Sequence, residues 1–225
     1  MYARFEPLIP FRKEIAALHK RFIVELQALR ARSVLDAGCG NGLFLSRLQT
    51  IGIAAKGIDL SAAMVENARS GGLNAERIDL KDERGSYDAV SAIFDVVNYL
   101  NGGELGGFFR AARDRLNPNG AFIFDVNSLY GFEIAEGDLV LDDSDRFGAV
   151  RASFDGAALV NRFTLFERDK TDEYRRFDWQ ITQYFHSAKT IERTLSAAGF
   201  SAIKRKDIRL YDGAKADKLL FIAEI

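Results

Sequence analysis

A single cysteine, Cys39, stands in the 225-residue chain, so no internal disulfide forms. Two histidines, His19 and His186, are too few to complete a structural zinc site with it, and no metal is expected. Three prolines leave no Pro-rich linker between independent domains. Charge of either sign is not in excess: 31 Lys and Arg face 32 Asp and Glu, which excludes the broad positive field that draws long nucleic acids or anionic membranes. No apolar run approaches the ~20 residues of a membrane-spanning helix. The opening stretch MYARFEPLIPFRKE carries charges where a signal peptide has its apolar segment. These absences predict a cytoplasmic protein, monomer or homodimer, with a small-molecule partner and neither nucleic acid nor membrane as ligand.

What the chain has is an apolar fraction of 48%, with 18 Phe and 7 Tyr, enough for a sizeable core. Ile15, Leu18, Phe22, Leu26 and Leu29 recur at intervals of three and four, the period of an amphipathic helix, and mark a helical leader over about 1–31. Short apolar strands then run into helices: SVLDAG into NGLFLSRLQTIG, AAKGIDL into SAAMVENARSGG, NAERIDL, YDAVSAIF into GGELGGFFRAARDRL, and GAFIFDVN. This alternation predicts an α/β core with a parallel sheet covered on both faces. After Asn127 three aromatic and β-branched segments, GAVRASFDG, ALVNRFTLFERD and EYRRFDWQITQYFHS, follow one another without a helix. They predict an inserted three-stranded antiparallel meander at about 146–187. The first texture returns in the helix KTIERTLSAAG and the strands FSAIKRKDI and KLLFIAEI, the KRK of residues 204–206 suiting a solvated sheet edge.

The sharpest motif is VLDAGCGNG, residues 34–42: an apolar strand ending in Asp36, then Gly38, Gly40 and Gly42 leading into a helix near Leu43. Glycines at a strand-to-helix turn remove Cβ atoms, so the backbone bends tightly and approaches a ligand that the free N–H groups of the helix start can bind. A nucleotide-like cofactor belongs there. Asp59, in KGIDLS, lies 23 positions after Asp36, the spacing of an acid that accepts hydrogen bonds from ribose hydroxyls. A third strand read to end at Asp79 and Leu80 puts another carboxylate beside an apolar wall, where it reaches an adenine amine. The competing reading of such acids is as helix caps.

With these motifs the chain resembles class I S-adenosylmethionine-dependent methyltransferases. The matching elements are VLDAGCGNG, the GIDLS acid followed by Met64, the IDL of residues 78–80, YDAVSAIFDVVNYL and LNPNGAFIFDVN. FDVNSLYGF, the meander and WQITQYFHSAKTIERTLSAAGF are similar to small-molecule N-methyltransferases that act on amino sugars or glycine-like amines. The resemblance implies a Rossmann-like fold with a mostly parallel seven-stranded sheet, S-adenosylmethionine as cofactor and S-adenosylhomocysteine as product. It implies that the turn Asp36, Ala37, Gly38, Cys39, Gly40 and Gly42 flanks the methionine half of the cofactor and that Asp59 holds the ribose. Leu60 and Met64 would sandwich the adenine, and Asp79 with Leu80 would meet its amine edge. Phe94 and Asp95 would border the sulfonium, and Tyr2 and Arg12 would take the carboxylate. Asn119 stands where the LxPGG turn of the family has its second glycine; asparagine tolerates the positive φ.

On the acceptor side His186, Asp95 and Tyr184 are the candidate catalytic groups, and Asn98, Tyr99 and Asn127 the candidate substrate contacts. His186 can take a proton near neutral pH or simply bond a loop carbonyl, and the sequence leaves both open. His19 reads as solvated or partly packed on the leader, and Cys39 as an inert packed thiol. A nicotinamide site would need Gly at 43, where Leu43 stands, whereas Gly42 gives the G-x-G-x-G spacing of methyltransferases. FDVV replaces the (D/N)-P-P-(Y/F/W) box of nucleic-acid methyltransferases. An O-methyltransferase on a small hydroxylated metabolite and a noncatalytic cofactor-binding module remain as alternatives.

Overall fold

The structure, a computed structural model, describes residues 2–211 and 213–225, except the side chain of Tyr2. The leader forms a short helix α1 (Tyr2–Phe5), a 3-10 turn (Glu6–Leu8) and helix α2 (Arg12–Ala28). Leu18, Phe22 and Leu26, one turn apart along α2, are each 0% exposed.

Then come β1 (Ser33–Ala37), α3 (Leu43–Thr50), β2 (Ala54–Ile58), α4 (Ala62–Ser70), β3 (Ala75–Glu76), β4 (Tyr87–Ala92), α5 (Leu105–Arg113) and β5 (Leu116–Asn127). They are followed by α6 (Leu129–Ala135), β6 (Gly137–Asp142), β7 (Arg146–Phe154), β8 (Ala158–Arg168), β9 (Tyr174–Tyr184), α7 (Ala188–Ala197), β10 (Ala202–Ile208) and β11 (Lys218–Glu224). The main sheet has seven strands in the order β10-β11-β5-β4-β1-β2-β3; β11 runs antiparallel to both its neighbours and the other pairings are parallel.

Both faces of this sheet are buried, which is why its strands read as continuous apolar runs. Leu35, Val90, Phe122 and Phe221 pack with Phe109 of α5 and Leu195 of α7. Their chain neighbours Val34, Ala89, Ile123 and Ile222 pack with Phe22 of α2 and Leu48 of α3 on the opposite face. Ser61, Ser128 and Ser187 cap α4, α6 and α7 by accepting backbone N–H groups. Asn119 has φ 64, as its place in the turn requires. Among the described residues no helix is long and apolar enough to cross a membrane.

The α/β sheet of seven strands is as expected, and the second sheet holds one strand more than the meander read from the sequence. Its order is β6-β7-β8-β9, antiparallel throughout, with β6 the extra strand. β6 is an edge strand whose residues are nearly all exposed, so GDLVLD carries no apolar alternation to announce it. The third strand is also shorter than expected, because β3 stops at Glu76.

Candidate active site

The parallel strands β1, β2 and β4 end on one edge of the main sheet, with Ala37 opposite Ile58, and antiparallel β11 begins there, Lys218 opposite Asn127. Leader, second sheet and this edge enclose a cavity of about 1240 Å³.

One half of the cavity is a groove around the glycine turn. Gly38, Gly40 and Gly42 have φ of 80, 55 and 84°. A Cβ at Gly40 would meet nothing within 4 Å, whereas at Gly42 it would lie 2.4 Å from Leu73 Cδ1. Gly40 therefore leaves open space beside the backbone, while Gly42 seats the turn against Leu73 and does not line the cavity. Asp59, one residue past β2, accepts the Gly40 N–H at 2.9 Å and the Ser61 N–H at 2.8 Å, bracing the turn and the start of α4. Leu60, 68% exposed, and Met64, Asp79 and Leu80 extend the groove wall. Asp79 does not end a strand: it caps the 3-10 turn Leu80–Asp82 through the Lys81 N–H at 3.2 Å.

Asp36 and Ala37 line the groove from the end of β1. Burial pushes the Asp36 carboxyl up to a pKa of about 7, opposed by the Ser91 hydroxyl it accepts at 2.6 Å and reinforced by Asp59. Cys39 lines the groove too, its thiol pushed up by burial and then by Asp36 and Asp59, which keeps it protonated and inert. His19 is 2% exposed, a wall residue between the rings of Phe44 and Phe94 at 5.0 and 5.5 Å, and not the solvated or partly packed group expected. Burial, then Arg47, pulls its pKa down to about 4, and its Nδ1 has no partner among the described residues. The groove thus offers carboxylates, an apolar patch and one neutral ring nitrogen.

In the other half, two successive non-glycine residues past β4, Phe94 and Asp95, hold left-handed φ of 62 and 63°. Such residues cost on the order of 1–3 kcal/mol each unless their surroundings hold them. Asp125 Oδ1 accepts the Phe94 N–H at 2.8 Å, the Asp95 carbonyl accepts the Asn98 N–H at 2.7 Å, and the Asp95 carboxylate pairs with the Lys218 ammonium. Lys218, 4% exposed, also donates to Asp125 Oδ2 and Asn127 Oδ1, both at 2.9 Å. Burial alone would lower its pKa, but the Asp125 and Asp95 carboxylates more than offset this and hold it protonated.

The second sheet presents Val150, Ala152, Leu159, Asn161, Trp179, Ile181 and Gln183 to the cavity, the period-two positions of β7, β8 and β9. Trp179 stacks on Phe163 at 4.9 Å, and its buried indole N–H has no partner among the described residues. Burial raises the Tyr211 phenol, with Asp95, Asp217 and Glu14 adding and Lys218 opposing, so these five groups share one corner.

Of the expected acceptor-side residues, Asp95, Tyr99 and Asn127 line the cavity, but His186, Tyr184 and Asn98 do not. His186 donates from Nε2 to the Leu100 carbonyl at 2.8 Å, and burial lowers its pKa against that bond. Tyr184 has the wrong parity on β9, one residue past the wall position Gln183. Asn98, 0% exposed, spends its amide on the Tyr184 carbonyl and the Asn127 N–H, each at 2.9 Å. Arg12 is exposed at the first turn of α2 and off the cavity, although Glu14, Ile15 and His19 of that helix line it. The Tyr2 side chain lies outside the described residues.

Residues 4–205 match the family profile of a methyltransferase domain. The chain belongs to that family. It is 26% identical to a methyltransferase-like protein of Geobacillus sp. (strain WCH70) over 188 residues, 77% of this chain and 76% of the relative. Among solved structures it is similar to an S-adenosylmethionine-dependent methyltransferase from Clostridium acetobutylicum, with a TM-score of 0.79 at 21% identity, covering 98% of this chain and 94% of that one. A sugar N-methyltransferase from Streptoalloteichus sp. ATCC 53650 superposes with a TM-score of 0.76 at 22% identity, over 100% and 92% of the two chains. An S-adenosylmethionine-bound amino pentose methyltransferase from Micromonospora echinaspora gives 0.70 at 21%, over 99% and 94%. At these identities the structural likenesses establish the fold.

The groove has the chemistry to hold S-adenosylmethionine, the molecule bound in the Micromonospora structure. The open space at Gly40, the exposed Leu60 on the same wall as the carboxylates of Asp59 and Asp79, and the unpartnered His19 nitrogen match an adenosyl group joined to a polar amino-acid end. The site is also held together by residues that the sequence did not single out. Glu6 closes the leader onto the glycine loop by accepting Asn41 Nδ2 at 2.9 Å. Asp125 and Lys218 lie in or at the start of strands that otherwise read as apolar, and a charge in such a run is the signal that would have found them.

Proposed function

We propose that this methyltransferase acts on the nitrogen of a small-molecule amine. When bound, S-adenosylmethionine supplies an electrophilic methyl group on a sulfonium. The backbone of Gly38, Cys39 and Gly40 flanks its methionine part, Asp59 uses its remaining lone pairs on the ribose hydroxyls, and Leu60 and Met64 pack the adenine, whose amine meets Asp79 beside Leu80. Phe94 and Asp95 border the sulfonium. The leader and the second sheet, within one methyltransferase domain, complete the wall against which the acceptor is oriented and water excluded.

The observation that supports an amine is that neither histidine is placed to act as a general base and that the carboxylate bordering the sulfonium is already paired. The His186 imidazole is committed to Leu100, the lowered pKa of His19 makes it a weak base, and Asp95 is paired with Lys218. A hydroxyl acceptor needs a group that removes its proton as it attacks, whereas an ammonium has only to release one proton to a wall carboxylate or water and keep its electron pair. The sugar N-methyltransferase and the amino pentose methyltransferase among the structural relatives are in keeping with this.

Calorimetry with S-adenosylmethionine, S-adenosylhomocysteine and NAD tests the cofactor half, and a screen of amines and matched alcohols with radiolabelled methyl donor tests the acceptor half. Binding of both adenosyl ligands, none of NAD, and label in amines alone is expected. Label confined to alcohols would overturn the amine reading.

A further inference from the structure

The acceptor half of the cavity is built for positive charge. Glu14, Asp95, Glu136, Asp138 and Asp217 line it, and Lys218 is the one ammonium or guanidinium among the described wall residues. Lys218 is itself spent on Asp95 and Asp125. An acidic lining alone identifies no ligand; Asp217 does. It is 2% exposed, and its Oδ2 accepts the N–H groups of Leu210 at 2.9 Å and Tyr211 at 3.1 Å. Its Oδ1 is buried and has no hydrogen-bond partner among the described residues. A buried carboxylate oxygen without a donor is costly, and such a group in a cavity wall is matched by what the cavity takes up. The carboxylate is also fixed in place, because its own main chain accepts the Ser128 N–H at 2.9 Å where α6 begins. The indole N–H of Trp179, another residue of the cavity wall, is likewise buried without a partner among the described residues.

We propose that Asp217 Oδ1 receives an ammonium group of the acceptor, so that the methyltransferase selects cationic amines and rejects phosphorylated or carboxylate-bearing ones. This rests on the reading of the protein as a small-molecule amine methyltransferase and adds the charge class of the substrate and the residue that reads it. Asp217→Asn makes a clean comparison: the amide oxygen can keep the two backbone N–H groups, which turns an NH₂ donor toward the place where Oδ1 accepts.

Trp179 is the only tryptophan of the chain, so one indole ¹⁵N–H resonance reports on the cavity without any need for turnover. The full chain, saturated with S-adenosylhomocysteine, is titrated with benzylammonium, benzyl alcohol and benzoate. Benzylammonium is expected to move the resonance at a concentration at least tenfold below either of the others. In Asp217→Asn that advantage should fall below threefold, with S-adenosylhomocysteine affinity by calorimetry held within twofold. Equal or tighter binding of benzoate or benzyl alcohol, a cation preference that survives Asp217→Asn, or a resonance that none of the three moves would overturn the proposal. The charge series on the unaltered protein decides it even where the variant does not fold. Absence of S-adenosylhomocysteine binding would instead count against the methyltransferase reading and is seen separately, in the calorimetry.

Discussion

Asp59, proposed to hold the ribose, also braces the glycine turn, because its carboxylate accepts the N–H groups of Gly40 and Ser61. Replacing it with alanine should therefore cost about 1–2 kcal/mol of stability without ligand, since solvent reaches both amides and replaces part of what is lost. Cofactor affinity should fall further, by roughly 1.5–3 kcal/mol or ten- to a hundredfold, as the ribose loses a charged acceptor. Melting of the free protein and calorimetry separate the two; an affinity that does not change would place the ribose elsewhere. His19 makes a pH-dependent contribution of definite sign. Its pKa is about 4 in the folded protein against an ordinary value of 6.5, so between those values the unfolded chain binds the extra proton. Stability attributable to His19 is then complete above pH 6.5 and lost on acidification, by roughly 3 kcal/mol at pH 4. Denaturant unfolding of wild type and His19→Gln should show the wild type losing that much more between pH 7 and pH 4. Parallel curves would show that the ring is not held neutral.

Between elements, Asn98 is a latch: from the 3-10 turn after β4 it bonds the last residue of β9 and the last residue of β5. Asn98→Ala leaves a half-buried carbonyl and a half-buried N–H without this partner and opens a cavity at a fully buried position. It should destabilise the protein by about 2–4 kcal/mol. For a chain of this size that corresponds to a fall in Tm on the order of 10 °C, read by calorimetric melting. A variant of normal stability with a raised acceptor requirement would return Asn98 to the substrate side. The same geometry explains why the end of β9 misled the sequence reading. Aromatic residues at QYFHS look suited to a pocket, but Asn98 and the strand's alternation put Gln183 on the wall and Tyr184 off it.

Across the molecule, Lys218 joins the tip beyond β4 to β5 and β11. Lys218→Met removes the ammonium and leaves the buried Asp125 carboxylate and the partly exposed Asp95 carboxylate without their cation, a loss of roughly 3–5 kcal/mol. Asp125 must then hold a proton in the folded state: burial already raises its pKa to about 6, and loss of the cation that opposes this raises it further. Stability of the variant should therefore rise as pH falls, and its defect should be several-fold smaller at pH 5 than at pH 8 in denaturant unfolding. A defect that is the same at both pH values would show that the acids find other partners. The α/β alternation, the glycine turn and Asp59 were legible in the sequence because each depends on a local pattern: a period, a spacing, a residue type at a turn; the wall residues Leu60 and Met64 came from the family resemblance. β6 was not, since an exposed edge strand has no alternating apolar face to reveal it. Nor were the partners of His186, Tyr184 and Asn98, whose orientation depends on contacts 86 positions away along the chain for His186 and Asn98. Thus the sequence by itself determined the sheet and the glycine turn, through interactions between near neighbours, and its motifs carried the resemblance that names the chemical class. Tertiary structure alone decided which polar groups face the cavity, because whether Lys218, Asp125 and Asp217 are buried and paired depends on strands that meet only when the sheet closes.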